Sequence, residues 1–517
     1  MQILENFYKL MSKRSDSETK HEVEFESLLI DMIKSIDYFK QNPSNFGKSQ
    51  LDGDELGRNC VWAFADNHAE KTVIVFGHFD IVGIEQYGDL KSIAYDAEKL
   101  MEKLGHLETD SENWIFGRGS CDMKAGIAIN LEMLKRAVEN PNYPNVLFLA
   151  VPDEENMSAG MRHAVTLLQV LKSKFGLNYH CAFLTEPHER SQNNEFVTYS
   201  GSAGKMMPML VAKGIPVHTG EVFKGLNPIG ILTEAVKAVE MNTEMADVLY
   251  KRMTPPPTFL CMRDLKSGYD VTTPEFAVAY FNWMFLKDSL DQKLNQLKEL
   301  CVWSMEDAIN QFNYSHNEFL RKQGHRWFEC VKEFSPDVLL FDELKARVQE
   351  KTDADGFIDD FLSENKDLDD RKITEMLIKS MIEFLEIETP LIVIALLTPF
   401  YPAVDFTEFH KEQMNEVIET WCSKRELAYR NEPFFMKICD MSYLRGCEGR
   451  YDSVADNMPL MGRRYDIDFK SLSQLDIPCA IIGPWGKDLH QKTERVYKPD
   501  LEVNIPELLE QLLKHYA

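Results

Sequence analysis

The chain contains 517 residues, more than a single hydrophobic core usually serves, so at least two domains are expected. Hydrophobic residues make up 44% and charged residues 27% of the sequence, as in an ordinary water-soluble globular protein. A formal net charge of −26 argues against nucleic acid and anionic membranes as the main partners, because both bind basic surfaces.

Cysteine usage and the lack of long apolar segments predict a cytoplasmic protein. The ten cysteines include no CxxC pair, so we expect reduced thiols rather than ligands of a structural zinc. The N-terminal segment is amphipathic and charged, unlike a signal peptide. The best candidate for a membrane span, residues 389–403, is too short and contains three prolines.

In the first 203 residues, helical patterns alternate with short apolar runs, which indicates a mostly parallel α/β sheet. Helices are expected within residues 1–45. The strands predicted after them are 73–76, 146–151 and 181–184, and the helices are 127–138 and a segment around 161–171.

The pattern changes near residue 204, where the order strand, helix, strand, strand, helix, strand indicates a ferredoxin-like α+β domain. Its predicted strands are 206–212, 258–262, 276–281 and 326–332, and its helices are 228–241 and 288–312. We therefore expect a domain of residues 204–341, inserted into a main domain of residues 1–203 and 342–517.

The α/β pattern returns in the second part of the main domain. Its predicted helices are 370–385, 407–424 and 505–516, and its strands are 391–397 and 479–482. The acidic stretch 353–370 is expected to be a solvated linker or an exposed helix face.

His78 and Asp80 directly follow the predicted strand 73–76. Side chains two residues apart in extended chain point the same way, so an imidazole and a carboxylate should lie side by side. A metal-binding histidine often has one ring nitrogen on the metal and the other held by a carboxylate. The pair therefore suggests a metal site, although a turn with a solvated aspartate would look the same.

Further polar residues follow other predicted strands or precede a helix, and sites of open α/β sheets form at that edge. They are Asp122, Glu154, Glu155, Glu186 and His490. Two imidazoles with several carboxylates suit zinc or another borderline divalent ion, and they are too many for one tetrahedral zinc.

Two ions sharing a carboxylate would lower the pKa of a shared water and polarise a carbonyl. One of the adjacent pair Glu154 and Glu155 could then be a ligand and the other a general base. Each acidic residue alone would be read as a helix N-terminal charge.

Other catalytic motifs are absent from the sequence. There is no GxSxG elbow and no HExxH, and the GSAGK at residues 201–205 lacks the upstream glycine and the Ser/Thr of a phosphate-binding loop.

At this point the sequence resembles the di-zinc metallopeptidase family of aminoacylase, carboxypeptidase G, acetylornithine deacetylase and succinyl-diaminopimelate desuccinylase. The matching segments are GHFDIV (77–82), GRGSCDMKAG (117–126), PDEENMSAG (152–160), LTEP (184–187) and GPWGKDLHQKTERV (483–496). The resemblance implies a Zn-peptidase-like catalytic domain, with residues 204–341 as a lid that often dimerises.

The resemblance also implies a role for each residue. Asp122 would bridge two zinc ions, with cobalt or manganese as other candidates. His78 and Glu186 would complete one site, and Glu155 and His490 the other. Glu154 would be the general base and Asp80 would orient His78. His218, in KGIPVHTGEVFKGLNP (213–228), would stabilise the oxyanion and help to hold substrate.

A closer resemblance, to the arginine-utilisation branch of this family, comes from PEFAVAYFNWMF (274–285) and FFMKICDMSYL (434–444). The polar residues of the latter region are candidate substrate contacts: Asp440, Ser442, Tyr443 and Arg445. We expect hydrolysis of an amide bond in a small N-acyl amino acid, dipeptide or arginine-related compound. Two alternatives stay open: a non-catalytic binding or regulatory protein, and a one-metal enzyme acting on an ester or carbamoyl group.

Overall fold

The structure is a computed structural model that describes residues 2–190, 192, 194–287, 290–324, 333–447 and 449–517. The predicted strand 326–332 lies outside the described residues. Within the described ranges, no helix combines the length and the apolar character needed to cross a membrane.

Strands and helices are numbered here in chain order. The strands are β1 (Phe46–Gln50), β2 (Asn59–Ala65), β3 (Thr72–His78), β4 (Trp114–Phe116), β5 (Asn145–Val151), β6 (Tyr179–Leu184), β7 (Glu195–Tyr199), β8 (Gly201–Ser202), β9 (Gly204–Lys213), β10 (Val248–Leu249), β11 (Arg252–Met253), β12 (Thr258–Asp264), β13 (Phe276–Phe285), β14 (Val338–Leu340), β15 (Leu391–Tyr401), β16 (Val404–Asp405), β17 (Ala428–Glu432), β18 (Cys479–Ile481), β19 (Gly486–Lys487) and β20 (Arg495–Tyr497). The helices are α1 (Gln2–Ser12), α2 (Lys20–Ser35), α3 (Asp37–Gln41), α4 (Ala97–Leu104), α5 (Ala125–Glu139), α6 (Ala159–Phe175), α7 (Pro228–Val239), α8 (Leu290–Lys322), α9 (Phe341–Gln349), α10 (Ala354–Glu364), α11 (Asp370–Phe384), α12 (Thr407–Gln413), α13 (Asn415–Ser423), α14 (Asp452–Asn457), α15 (Phe469–Leu472) and α16 (Ile505–Tyr516).

The chain folds into two compact units. The first unit consists of Met1–Ala203, Val404–Cys447 and Ile467–Ala517, and the second of Gly204–Ala403 and Glu448–Asp466. The start of the second unit coincides with the predicted start of the insert. The predicted insert ends at residue 341, whereas the first segment of the second unit continues to Ala403.

The first unit is built on an eight-stranded sheet with the order β1-β2-β5-β3-β6-β18-β7-β17. The four central strands, β5, β3, β6 and β18, run parallel. Every residue of β3 and of β5 is buried, which explains why these strands read as continuous apolar runs. This confirms the predicted α/β sheet. Because the strands are parallel, the residues that follow β3, β5, β6 and β18 meet at one edge.

The second unit contains a five-stranded sheet with the order β12-β13-β9-β15-β14. Strand β9 lies between β13 and β15 and is antiparallel to both. The first four strands of that order form the ferredoxin-like arrangement, with β15 as its last strand. The sequence predicts the apolar run 391–397 as a strand of the main domain, which is wrong, because this run forms β15 in the sheet of the second unit. A continuous apolar run indicates a buried strand but does not indicate which sheet contains it.

The acidic stretch 353–370, expected to be a solvated linker or an exposed helix face, contains a helix. Residues 354–364 form α10, and Arg463 pairs with Asp355 and Asp359 of this helix, each at 2.6 Å.

Gly160 lies in the first turn of α6, close to the chain that leads from β5 to Glu154. A β-carbon at Gly160 would lie 2.4 Å from the carbonyl oxygen of Pro152, a fixed backbone atom. We predict that Gly160→Ala lowers the free energy of unfolding by about 1–3 kcal/mol, measured by denaturant unfolding followed by circular dichroism.

The matched control is Gly230→Ala in the first turn of α7, where a β-carbon would meet nothing within 4 Å. This variant should be unchanged or more stable by up to about 1 kcal/mol, because alanine is the better helix former. Equal effects of the two substitutions would contradict the proposed close packing at Gly160.

Candidate metal centre

His78 is the last residue of β3, and its side chain is 1% exposed. Its Nδ1–H donates to the backbone carbonyl oxygen of Asp80 at 3.0 Å, while the Asp80 carboxylate lies 3.4 Å away. The ring is therefore oriented mainly by the main chain of Asp80. Its other nitrogen, Nε2, lies 3.2 Å from Oδ1 of Asp122 and 3.2 Å from Oε1 of Glu186. The nitrogen that is not held by Asp80 thus faces two carboxylates, as the nitrogen of a metal-binding histidine would.

Asp122 lies between two histidines, with one carboxylate oxygen directed at each. Oδ1 faces His78, and Oδ2 lies 3.0 Å from Nε2 of His490. The same nitrogen of His490 lies 3.1 Å from Oε2 of Glu155. Two sets of potential ligands result, with the ligand atoms of each set within 4.8 Å of one another. We call them the His78 group (His78, Asp122, Glu186) and the His490 group (Asp122, Glu155, His490).

Glu154 and Glu155 are neighbours in sequence but differ in position. Glu155 belongs to the His490 group, whereas Glu154 belongs to neither group. The side chain of Glu154 is 13% exposed, and its Oε2 lies 3.9 Å from Nε2 of His78. Glu154 is thus a carboxylate beside the cluster and outside both ligand groups.

The cluster concentrates negative charge in a buried place. Burial raises the pKa of Glu155 to about 7, and the neighbouring Asp122 adds to this rise. Burial also raises the pKa of Glu154 well above its ordinary value. Burial alone would raise the pKa of Asp122, but hydrogen bonds from the two histidines hold it below the ordinary value. Hydrogen bonds to Asp122 and Glu155 raise the pKa of His490 to about 10.

The donor set fits divalent cations. Imidazole nitrogens and carboxylate oxygens are the ligands of zinc and related ions, and Asp122 can serve both groups. Oε1 of Glu155 is buried and has no hydrogen-bond partner among the described residues. An unpartnered buried carboxylate oxygen raises the free energy of the folded protein, and a bound cation would provide the missing partner.

The Asp80 carboxylate fixes the segment that carries the two glutamates. Its Oδ1 accepts the backbone N–H of Glu154 at 3.0 Å, and its Oδ2 accepts that of Glu155 at 3.1 Å. The Ser17 hydroxyl donates to Oδ2 at 2.7 Å. Asp80 therefore holds the backbone of a potential ligand, Glu155, and of the candidate base, Glu154, at the same time.

A second set of buried charges supports the same segment and was not identified from the sequence. Glu22 of α2 accepts the backbone N–H of Asp153 at 3.0 Å. Arg58 contacts Glu22 at 3.2 Å and the Asp153 carboxylate at 2.6 Å. Asp153 itself stands next to Glu154 in sequence, but lone charges on helices and loops usually indicate a solvated surface, so no local signal marked this network.

His218 belongs to the second unit, where it is exposed and its Nδ1 accepts the backbone N–H of Gly220 at 3.0 Å. Its role toward the oxyanion stays a prediction.

The candidate substrate contacts are mostly buried. Asp440, Ser442 and Tyr443 are each at most 1% exposed, whereas Arg445 is partly exposed and pairs with Asp476 at 2.6 Å. Burial raises the pKa of Asp440 to about 7, and His78 is among the charges that act on it. Asp440 thus lies in the electrostatic surroundings of the cluster, while Arg445 is occupied by an ion pair. Their roles toward substrate stay predictions.

Asp80→Asn should weaken metal binding by about 10- to 100-fold, because the amide NH₂ cannot accept the N–H groups of both glutamates. Binding would be measured by calorimetric titration of the metal-free protein with Zn²⁺. Ser17→Ala is the control, since it removes a single hydrogen bond from the same carboxylate and should have a smaller effect. Equal affinities of Asp80→Asn and the unaltered protein would contradict this role.

The chain is similar to known proteins in sequence and in fold. Residues 77–515 match the model of peptidase family M20/M25/M40. The chain is 30% identical to the uncharacterized protein YqjN of Bacillus subtilis over 97% of this chain and 93% of that protein. It is 29% identical to protein RocB of the same organism over 94% and 89% of the respective chains.

A solved structure has the same fold. The M20 family metallo-carboxypeptidase Sso-CP2 of Sulfolobus solfataricus superposes with a TM-score of 0.55 at 13% identity, over 100% of this chain and 99% of that one. The family match and the 30% identical relative confirm the family resemblance seen in the sequence. The chain belongs to peptidase family M20/M25/M40 and is, by that membership, a metallo-hydrolase.

Proposed function

We propose that this protein hydrolyses an amide bond in a small N-acyl amino acid, dipeptide or arginine-related compound, using two divalent ions. The observation that carries the proposal is the pair of ligand groups sharing Asp122, with Glu154 beside them and in neither group. A non-catalytic binding protein would not need an uncoordinated carboxylate at this position.

His78 and Glu186 would hold one ion, and Glu155 and His490 would hold the other. Asp122 would be a ligand of both ions. When bound, such ions lower the pKa of a shared water and polarise the substrate carbonyl. Zinc is the first candidate, and cobalt and manganese accept the same ligands.

Glu154 would accept the proton of the attacking water at its carboxylate and return it to the leaving nitrogen. Burial raises the pKa of Glu154 well above its ordinary value, and a raised pKa makes the carboxylate a stronger proton acceptor. His218 would donate a hydrogen bond to the developing oxyanion, as the family resemblance implies.

The substrate class rests on family membership and on the full-length similarity to RocB. An arginine-related substrate follows from the resemblance to the arginine-utilisation branch. A cytoplasmic location and a homodimer formed through the lid are part of the same proposal.

Glu154→Gln should lower kcat by about 10²- to 10⁴-fold while leaving metal content unchanged, because glutamine cannot accept the proton. Turnover would be measured on the best amide substrate of a panel. Glu24→Gln, at an exposed position on α2, is the control and should be normal. Near-normal turnover of metal-loaded Glu154→Gln would contradict the proposal.

The panel consists of matched compounds. N-acetyl-L-arginine and N-acetyl-L-norleucine differ in the guanidinium, and 2-acetoxy-5-guanidinopentanoic acid replaces the acetamide of N-acetyl-L-arginine by an acetate ester. We expect amide hydrolysis that stops when a chelator removes the metal and returns with added Zn²⁺ or Co²⁺, with the arginine compound preferred. Ester hydrolysis without amide hydrolysis would favour a different reaction class.

A further inference from the structure

The loops that carry Asp122 and His490 start from one strand pair in the first unit. Strands β4 and β20 are antiparallel, with Phe116 opposite Arg495. The Asp122 loop follows β4, and the His490 loop precedes β20. The backbone N–H of Gly117 donates to the carbonyl of Glu494 at 3.0 Å, directly beyond that pair. The two loops therefore leave the strands side by side.

The Glu494 side chain contacts the backbone of the Asp122 loop. It is 0% exposed, and its Oε1 accepts the N–H of Cys121 at 3.2 Å and that of Asp122 at 3.3 Å. The carboxylate therefore holds the main chain of the residue shared by both ligand groups.

Arg118 connects this carboxylate to the other loop. Its Nη1 pairs with Oε2 of Glu494, and its Nη2 donates to the carbonyl oxygen of His490 at 2.9 Å. The guanidinium also lies 5.3 Å from the ring centre of Tyr87. A continuous set of contacts thus runs from the N–H of Asp122, through Glu494 and Arg118, to the carbonyl of His490.

The His490 loop needs such support. His490 has φ 64°, a left-handed conformation that residues other than glycine rarely adopt. The contacts from Arg495 and Thr493 to Asp488 close the loop on itself. At its two ends, Lys487 and Arg495 also pair with Glu108, at 2.8 and 2.7 Å, but neither contact reaches His490. The His78 group differs, because His78 ends a central strand and Glu186 follows another.

From this asymmetry we propose that Arg118 and Glu494 are a positioning pair that sets the spacing of Asp122 and His490. Their loss would weaken binding of the ion of the His490 group more than that of the His78 group, because the His490 group would lose the placement of both Asp122 and His490 and the His78 group only that of Asp122. The inference rests on the proposed two-ion function. Neither side chain is itself a member of either ligand group.

The test is calorimetric titration of metal-free protein with Co²⁺, which should show two steps for the unaltered chain. His490→Ala, which deletes a ligand, identifies the step of the His490 group. We expect Glu494→Gln to weaken that step by about 10- to 100-fold and to weaken the other step less, because the other group shares only Asp122 with the altered loops. Arg118→Lys keeps the charge but loses the fork geometry of the guanidinium, so it should weaken the step of the His490 group less than Glu494→Gln does.

Glu510→Gln is the matched control. Glu510 pairs with Arg136 at 2.8 Å between α16 and α5 of the same unit, without contacting either loop. Both cobalt steps should be unchanged in this variant.

A single substitution of a buried pair can unfold a protein, because it leaves an unpaired charge inside. The double variant Arg118→Met with Glu494→Met removes both charges and the contacts to the loops, and such replacements are often tolerated. A folded double variant in which the His490 step is weakened more than the other step supports the inference. Equal weakening of both steps, or two unchanged steps, overturns it. If the unaltered chain takes up fewer than two ions, the proposed function fails as well.

Discussion

Burial of like charges at one edge of the sheet is the constraint on which the site depends. Asp122, Glu155 and Glu186 have side chains less than a tenth exposed, and Glu154 is only slightly more accessible. Carboxylates in such a place repel each other and lose hydration. Two imidazoles offset part of this cost, and divalent cations would offset far more. The chemistry of the centre follows from the same charges.

The surrounding layer holds these charges in place by using further buried acids as hydrogen-bond acceptors. Asp80 accepts two backbone N–H groups of the Glu154 segment, and Glu494 accepts two of the Asp122 loop. Glu22 accepts one from Asp153. Two of these acids are balanced by a buried arginine, Arg58 or Arg118. A carboxylate that accepts backbone N–H groups fixes a loop more rigidly than packing alone, which a metal site requires.

Much of this arrangement could be predicted from the sequence. Buried parallel strands can be recognised as continuous apolar runs, and their C-terminal ends lie at the same edge of the sheet. His78 and Glu186 were found in this way, and the family motifs added roles for Glu154 and His490. The sequence wrongly placed strand β15 in the sheet of the first unit, because the hydrophobicity of a strand does not show which strands it pairs with. Arg118 and Glu494 lie inside matched motifs but were not singled out. A single charged residue in a loop normally faces water, and only the fold shows that these two face each other.

The most direct test of a two-ion centre is X-ray diffraction from crystals of the zinc-loaded protein, with data collected on both sides of the zinc absorption edge. The account predicts two anomalous peaks about 3.5–4 Å apart, one beside His78 and Glu186 and one beside Glu155 and His490, with Asp122 between them. A single peak, or none at these residues, would contradict it.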